Sequence, residues 1–228
     1  MKKFKTINYV CLLHVSILNC TDNRIPFSLL RKLLPENAIV LEAGAHIGQD
    51  TVWMSEFWKK GKIYTFEPNP ESYKKLCDTI RQCNNVFTFP VALSKEPGAF
   101  PFYLIDGASS LLKPTAWCNN AYFHADLSKP IQIQVTTIDQ WAKENNISKI
   151  DFMWLDMEGN EINALEGALS ILKKVHVIYS EANFRQFWEN CAQYQNLVNW
   201  LQKQGFEKIW EDIVPNWQAN ILFVNKEY

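Results

Sequence analysis

The sequence predicts an α/β fold, a doubly wound and mostly parallel sheet with helices on both faces. Three observations predict it. Short apolar runs alternate with stretches of helical periodicity from residue 38 to 93 and again from 150 to 224, which is the rhythm of successive strand–helix–strand units. The first run ends in an acid and enters a glycine turn, Val40-Leu41-Glu42-Ala43-Gly44-Ala45-His46-Ile47-Gly48, just before a helix-like stretch. Such a strand–loop–helix corner is where nucleotide-like cofactors sit. Two further apolar runs follow the last helical stretch, consistent with a sheet that ends in an antiparallel hairpin.

Taken in order, residues 25–34 carry apolar side chains at helical spacing, and Pro35 stops them. Residues 38–43 form the first strand and residues 49–60 a helix capped by Gly61. Residues 62–68 form a second strand, 70–83 a helix leaving through Asn84-Asn85, and 86–93 a third strand. The rhythm then breaks. Residues 100–105 are extended, 106–110 are turn-rich, 131–136 alternate apolar and polar, and 138–145 suit a short helix. This middle portion reads as an insertion over the sheet's carboxyl edge, a suitable place for a substrate lid. Alternation resumes with a strand at 150–156, a helix at 161–173 and a strand at 175–180. A helix at 184–204 capped by Gly205 follows, then strands at 206–213 and 219–224. The expected organisation is an N-terminal extension, 1–35, and one domain, 36–228, without repeats or linkers.

Composition narrows the function. The chain has 228 residues, 47 % hydrophobic and 21 % charged, which is the balance of a globular domain with a proper core. A formal net charge of −1 gives no electrostatic case for nucleic acid. Cys11, Cys20, Cys77, Cys83, Cys118 and Cys191 contain no Cys-x-x-Cys pair, so they read as reduced thiols rather than a zinc site or a disulfide framework. The histidines likewise lack metal-binding spacing. Residues 1–20 imitate an export signal: Met1-Lys2-Lys3-Phe4-Lys5, a short apolar stretch and Cys20. They are too short to span a bilayer as a helix, and bulky Asn19 stands where a small residue is expected. The expectation is a cytoplasmic protein, with export or membrane attachment through 1–20 as the alternative. The sequon Asn146-Ile147-Ser148 acquires meaning only after secretion from a eukaryotic cell.

The chemistry concentrates at strand ends. Gly44 permits a sharp turn and close approach of a ligand to bare backbone. Gly48 would let the helix pack closely on the strand, with its free N–H groups aimed at the ligand. Glu67 lies about twenty residues further on, the offset at which an acid grips a ribose diol. The corner lacks the three-glycine fingerprint that accommodates a pyrophosphate. Glu42, two residues before Gly44, would repel a diphosphate and welcome an ammonium. Together with the closing hairpin, these features favour S-adenosylmethionine over a dinucleotide. The most specific stretch is Asp151-Phe152-Met153-Trp154-Leu155-Asp156-Met157-Glu158-Gly159-Asn160-Glu161. A buried strand delivers Asp156 and Glu158 to its carboxyl end, and the two converge only if the strand stops between them. Crowded carboxylates raise one another's pKa, preparing one to accept a proton, or they hold a divalent cation such as Mg²⁺. Glu161 fits simple helix capping.

Val40 to Gly48, Phe66-Glu67-Pro68-Asn69-Pro70, Val91-Ala92-Leu93-Ser94, Gly107-Ala108-Ser109-Ser110-Leu111 and residues 150–167 resemble, in order and spacing, the successive motifs of the FkbM methyltransferases. The resemblance runs over residues 38–182. It implies a class I, Rossmann-like fold with a doubly wound seven-stranded sheet, and transfer of methyl from S-adenosylmethionine to oxygen. The acceptors it implies are sugars, glycans or other hydroxylated metabolites. The family commonly has Asp at the position of Glu42 and Asn at that of His46. The resemblance implies that Glu42, Gly44, Ala45 and Gly48 cradle the cofactor's methionine part. It gives Glu67 the ribose hydroxyls and Ala92 the adenine edge, and it counts Asn69 among the cofactor-binding residues. Asp156 or Glu158 would be the base or metal ligand, and Ser109 and Ser110 would line the acceptor mouth. Glu181, at the end of the next strand, is a second candidate on the acceptor side, and His46 and His124 are alternative proton acceptors. Trp117, Tyr122, Phe123, Trp188 and Trp217 are candidates for a sugar-stacking surface. The competing readings are a nucleotide-binding oxidoreductase and a non-catalytic binding protein on the same fold.

Overall fold

The computed structural model describes residues 25–121 and 127–228. The signal-like segment 1–20, Tyr122, Phe123 and His124 lie outside the described residues. Helix α1 (Phe27–Leu33) precedes β1 (Ile39–Ala43), α2 (Gln49–Phe57), β2 (Lys62–Phe66), α3 (Pro70–Thr79) and β3 (Val86–Phe89). The middle of the chain holds β4 (Ala92–Leu93), β5 (Gly98–Phe102), α4 (Ala116–Ala121), β6 (Ile131–Thr136) and α5 (Ile138–Glu144). The remainder is β7 (Ile150–Leu155), α6 (Glu161–Glu166), β8 (Val175–Asn183), α7 (Tyr194–Lys203), β9 (Phe206–Val214) and β10 (Gln218–Asn225).

Seven strands form one sheet in the order β3-β2-β1-β7-β8-β10-β9, and β4-β6-β5 form a separate small sheet. β1 pairs in parallel with both β2 and β7, so Val40 faces Ile63 on one side and Phe152 on the other. β10 runs antiparallel to β8 and β9, giving the C-terminal hairpin. Side chains alternate between the two faces, as the pleat requires. Leu41, Met153, Ile178 and Ile221 pack with α5, α6 and α7 residues such as Trp141, Leu165 and Leu197. Their neighbours Val40, Phe152, Val177 and Leu222 pack on the opposite face with Leu30 of α1 and with Met54 and Trp58 beside α2. All six β7 residues are buried, which is why that strand reads as one unbroken apolar run. Among the described residues no helix is long and apolar enough to cross a membrane.

Three expected elements differ. The strand expected at 86–93 is two strands: β3 ends at Phe89, and β4 leaves to pair with β6. Pro90 stands between them without an N–H to give a ladder. The helix expected at 161–173 stops at Glu166, and its C-cap Gly167 packs against the Ser94 carbonyl, where a side chain would collide. The Asp139 carboxylate then accepts from the backbone N–H groups of Ser170 and Ile171, both at 2.9 Å, ahead of a short 3-10 turn at Leu172–Lys174. The helix expected at 184–204 begins only at Tyr194. Phe184, Phe187, Trp188 and Cys191 are spaced like a helical stripe, yet Phe187, Trp188 and Cys191 are buried against the insertion from irregular backbone. Tertiary burial overrides the local period there.

Candidate active site

The carboxyl ends of β1, β2 and β7 surround a cavity of about 200 Å³ that is also lined by β4 and the 102–111 segment. The crevice lies beside the first strand, where the chain switches sides of the sheet, as in other doubly wound folds. Gly44 takes φ 92, and the N–H groups of Gly44 and Ala45 both donate to the Phe66 carbonyl at 3.1 Å. A Cβ on Gly44 would collide with the backbone carbonyl of Asp156. The β1 corner and the β7 end therefore touch through bare backbone, and Asp156 N–H closes the contact by donating to Ala43 O at 3.0 Å. Gly44 and Ala45 line the cavity. Gly48 does not: at φ 87 it caps α2, and a side chain there would strike Leu76 of α3. Its close packing is against a helix rather than the strand.

Glu67 lines the cavity with 6 % exposure. Its Oε2 accepts from His46 N–H at 2.7 Å and its Oε1 from Asn69 N–H at 2.8 Å. Those two bonds hold the carboxylate at the end of β2, and each oxygen keeps a lone pair for another donor. Burial pushes its pKa up to about 7 against those two bonds. Asn69 and Ala92 also line the cavity, though the Asn69 side chain is engaged in capping α3 through Glu71 N–H at 3.0 Å. Glu42 is placed otherwise. It is 1 % exposed and lies away from the cavity lining; its Oε2 accepts from Thr51 Oγ1 at 2.7 Å and Thr65 Oγ1 at 2.6 Å. It ties α2 and β2 to β1 from inside the core, and burial raises its pKa to about 7.

β7 stops at Leu155, so Asp156 and Glu158 converge instead of diverging, and both line the cavity. Glu181 joins them from β8. Carboxylate oxygens of Asp156, Glu158 and Glu181 lie within 4.8 Å of one another. A divalent cation fits that spacing, and nothing beyond the spacing supports the Mg²⁺ considered from the sequence. Burial is the main cause that raises all three, with repulsion from Asp50 added at Asp156 (about 6), from Asp156 and Glu161 at Glu158 (about 8), and from Asp156, Glu158 and Glu161 at Glu181 (well above the usual range). Gln218 Nε2 donates to Glu181. Glu161 is the structural acid of the group, as the capping argument expects. Its Oε1 accepts from Met157 N–H at 2.9 Å and Gly159 N–H at 3.2 Å.

The serines serve the loop. Ser109 lines the cavity, but its Oγ accepts from Ile105 N–H at 3.0 Å and donates to Ile105 O at 2.6 Å. Ser110 is 1 % exposed and absent from the lining; its Oγ donates to Glu158 O at 3.1 Å. His46 lines the cavity, with Nε2 3.4 Å from Asp106. None of Trp117, Trp188 and Trp217 reaches it. Trp188 is 1 % exposed, which rules it out as a stacking surface, while Trp117, Phe187 and Trp217 pack edge-to-face on one another. Among the lining residues to which the sequence assigns no role are the polar Asp50 and Asn160. Their signal is position: each falls within two residues of a motif glycine, Gly48 or Gly159. Asn160, 3 % exposed, spends Nδ2 on Leu93 O at 3.0 Å and so ties α6 to β4.

Charge and shape together define what fits. Asp50, Glu67, Asp156 and Glu158 line the cavity, and among the described residues no lysine or arginine does. A pyrophosphate would meet four acids without a lysine or arginine to offset them. A ligand carrying a sulfonium and an ammonium meets favourable charge, and a ribose meets the free lone pairs of Glu67.

Comparison with known proteins agrees with this geometry. The chain is 25 % identical to the 2-O-methyltransferase NoeI of Sinorhizobium fredii over 183 residues, 76 % of this chain and 74 % of that protein. It is 22 % identical to the hexuronic acid methyltransferase AglP of Haloferax volcanii over 154 residues, 67 % of this chain and 59 % of that protein. Among solved structures, the fibrillarin pre-rRNA processing protein of Methanococcus jannaschii superposes with a TM-score of 0.52 at 15 % identity, over 94 % of this chain and 74 % of that one. A SAM-dependent methyltransferase of Aquifex aeolicus does so at 0.50 and 14 % identity, over 96 % and 98 %. These two likenesses establish the class I methyltransferase fold. The sequence matches the Methyltransferase FkbM domain over residues 42–208, and with that match spanning most of its length the chain belongs to the FkbM methyltransferase family.

Proposed function

We propose that this chain is an S-adenosylmethionine-dependent O-methyltransferase whose acceptor is a hydroxyl of a sugar or glycan. The observation that carries the reading is the cavity at the ends of β1, β2 and β7, lined by four carboxylates and, among the described residues, by no lysine or arginine. Gly44 and Ala45 would hold the methionine part against bare backbone, Glu67 the ribose hydroxyls and Ala92 the adenine edge. When bound, S-adenosylmethionine supplies a methyl group on a sulfonium, a leaving group that departs with the bonding electron pair. The acceptor oxygen must lose its proton as it gains the methyl, and a carboxylate near the operating pH is suited to take it. Asp156 and Glu158 line the crevice with pKa values raised to about 6 and about 8. We assign the proton to Asp156, with Glu158 and Glu181 orienting the acceptor by accepting from its other hydroxyls. The sugar class rests on the relatives NoeI and AglP, whose names specify sugar or 2-O chemistry.

Two measurements test the proposal. Calorimetry should find S-adenosylhomocysteine bound and NAD not bound; the reverse would favour an oxidoreductase. Transfer of labelled methyl from S-adenosylmethionine into fractionated cell extract should place the label in the glycan or sugar fraction. Label confined to lipid or protein would overturn the acceptor class.

A further inference from the structure

Glu181 joins the acid group from outside the cofactor cavity. Neither it nor Gln218, whose Nε2 donates to Glu181 Oε2 at 2.5 Å, lines that cavity. Among the described residues this is the hydrogen bond that either side chain makes. Glu181 Oε1, Gln218 Oε1 and the second amide hydrogen are left for other partners. A carboxylate and an amide side by side, offering acceptors and a donor together, match the vicinal hydroxyls of a sugar, each of which donates and accepts. Gln218 follows directly on Trp217, and the turn before it is pinned to the end of β8. Phe184 N–H donates to Trp217 O at 2.9 Å, and Arg185 Nε donates to Asn216 O at 3.0 Å.

An aromatic group stands beside this pair. Residues 113–115 run against 187–189: Thr115 N–H donates to Phe187 O at 3.1 Å, Glu189 N–H to Lys113 O at 2.7 Å, and Pro114 bridges Trp188. That pairing carries Trp117, in the first turn of α4, up to Phe187 and Trp217. The three rings meet at centroid distances of 4.5, 4.9 and 5.9 Å, with planes inclined by 63° to 88°. Phe187 is buried and anchors the group, whereas Trp117 keeps 38 % of its surface exposed. The group meets the acid side of the crevice at two points. Trp217 leads into Gln218 and so to Glu181. Phe187 and Trp217 share an apolar cluster with Cys191, which packs against Gly159, the residue after Glu158.

We propose that Trp117, Trp217 and the Glu181–Gln218 pair form an outer acceptor subsite, which holds the sugar unit next to the one that is methylated. The substrate is then a chain of two or more sugar units rather than a free monosaccharide. This rests on the reading above that the acceptor is a sugar hydroxyl. A sugar ring has an apolar face of C–H groups and a rim of hydroxyls. An exposed indole covers the face, and the carboxylate and amide beside it take up the rim. The stacked unit lies outside the cofactor cavity, and the unit joined to it presents its hydroxyl to Asp156.

The test has one arm independent of turnover. The carbohydrate fraction of a cell extract, separated by size into single sugars and chains, is titrated into protein saturated with S-adenosylhomocysteine while tryptophan fluorescence is read. Chains should shift the emission of the wild type, single sugars at the same concentration should not, and Trp117→Ala should lose most of the shift. The exposed position of Trp117 lets that variant fold even if Trp217→Ala does not, and an affinity for S-adenosylhomocysteine within about twofold of wild type checks it. In the transfer arm the methyl label should enter chains. Trp117→Ala should lower kcat/KM for them about tenfold, mainly through KM, and Trp117→Phe should recover part of the loss. Label confined to single sugars would overturn the outer subsite, as would a Trp117→Ala variant that binds chains like the wild type, or no emission shift with any carbohydrate fraction. A shift with chains but no methyl transfer to any fraction would uphold the subsite and overturn the reaction assignment instead.

Discussion

The two sides of the crevice treat their acids differently. On the β1–β2 side Glu42 is engaged by the hydroxyls of Thr51 and Thr65, and Glu67 by the backbone N–H groups of His46 and Asn69. On the β7–β8 side Asp156, Glu158 and Glu181 face one another within 4.8 Å, with a donor from Gln218 at the edge. Acids of the first kind hold backbone and elements in place. Acids of the second kind add repulsion between neighbouring carboxylates to burial at Glu158 and Glu181, although burial also raises Glu42 and Glu67 to about 7. On the function proposed above, the first side is the binding half and the second the reacting half, and each half can be broken separately.

The largest effect is expected at the reacting half. Asp156→Asn should lower kcat by about 10²–10⁴-fold, the usual contribution of a positioned general base, while the calorimetric affinity for S-adenosylhomocysteine changes little. Near-normal turnover would move the base elsewhere.

Gly44→Ala comes next, and it strikes the seam between the halves. Its Cβ collides with the Asp156 carbonyl and its φ is left-handed. A loss of about 2–4 kcal/mol in stability, read by urea unfolding, is expected, with cofactor binding lost as well.

A smaller effect follows on the binding half from Thr65→Val. It removes one of two donors to buried Glu42 and should cost about 1–3 kcal/mol. kcat per folded molecule should be unchanged, since Glu42 lies away from the cavity lining. A parallel fall in cofactor affinity would show Glu42 reaching the ligand and would blur the comparison.

A pH dependence of stability is expected as well, and it tests both sides together. Folded pKa values of about 6 for Asp156, about 7 for Glu67 and Glu161 and about 8 for Glu158 all exceed the values of the unfolded chain. The folded state therefore binds more protons, and stability falls as pH rises from about 4.5 to about 8. Melting temperature should decline over that window. A cationic cofactor should restore part of it, and a flat profile would show that the acids are not clustered as described.

Much of the fold and part of the site are legible in local sequence patterns. Period-two alternation divides Val40 from Leu41 and Phe152 from Met153, so the doubly wound sheet follows from burial on two faces. Gly44, Glu67 and the Asp156–Glu158 strand end are adjacent in sequence to the turns that expose them, and they are legible for that reason. Where expectation and fold part, the cause is shared. Phe187, Trp188 and Cys191 satisfy a helical period, but their partners, Ile105, Ala108 and Cys118, lie about seventy residues away or more, and a local window does not include them. The motifs put Glu42 and Ser110 at the ligand because their neighbours in sequence are there, whereas their side chains point to Thr51, Thr65 and the Glu158 carbonyl.

The sequence by itself determined the sheet, the position of the crevice and the residues that reach it along their own strands, because backbone periodicity and glycine turns are local physics. Only the tertiary structure decided which acids meet. Glu181 joins Asp156 and Glu158 because β8 pairs with β7, and Trp188 is buried where two remote loops pair with each other. Charges converge through packing between distant segments, and that information is distributed over the whole chain.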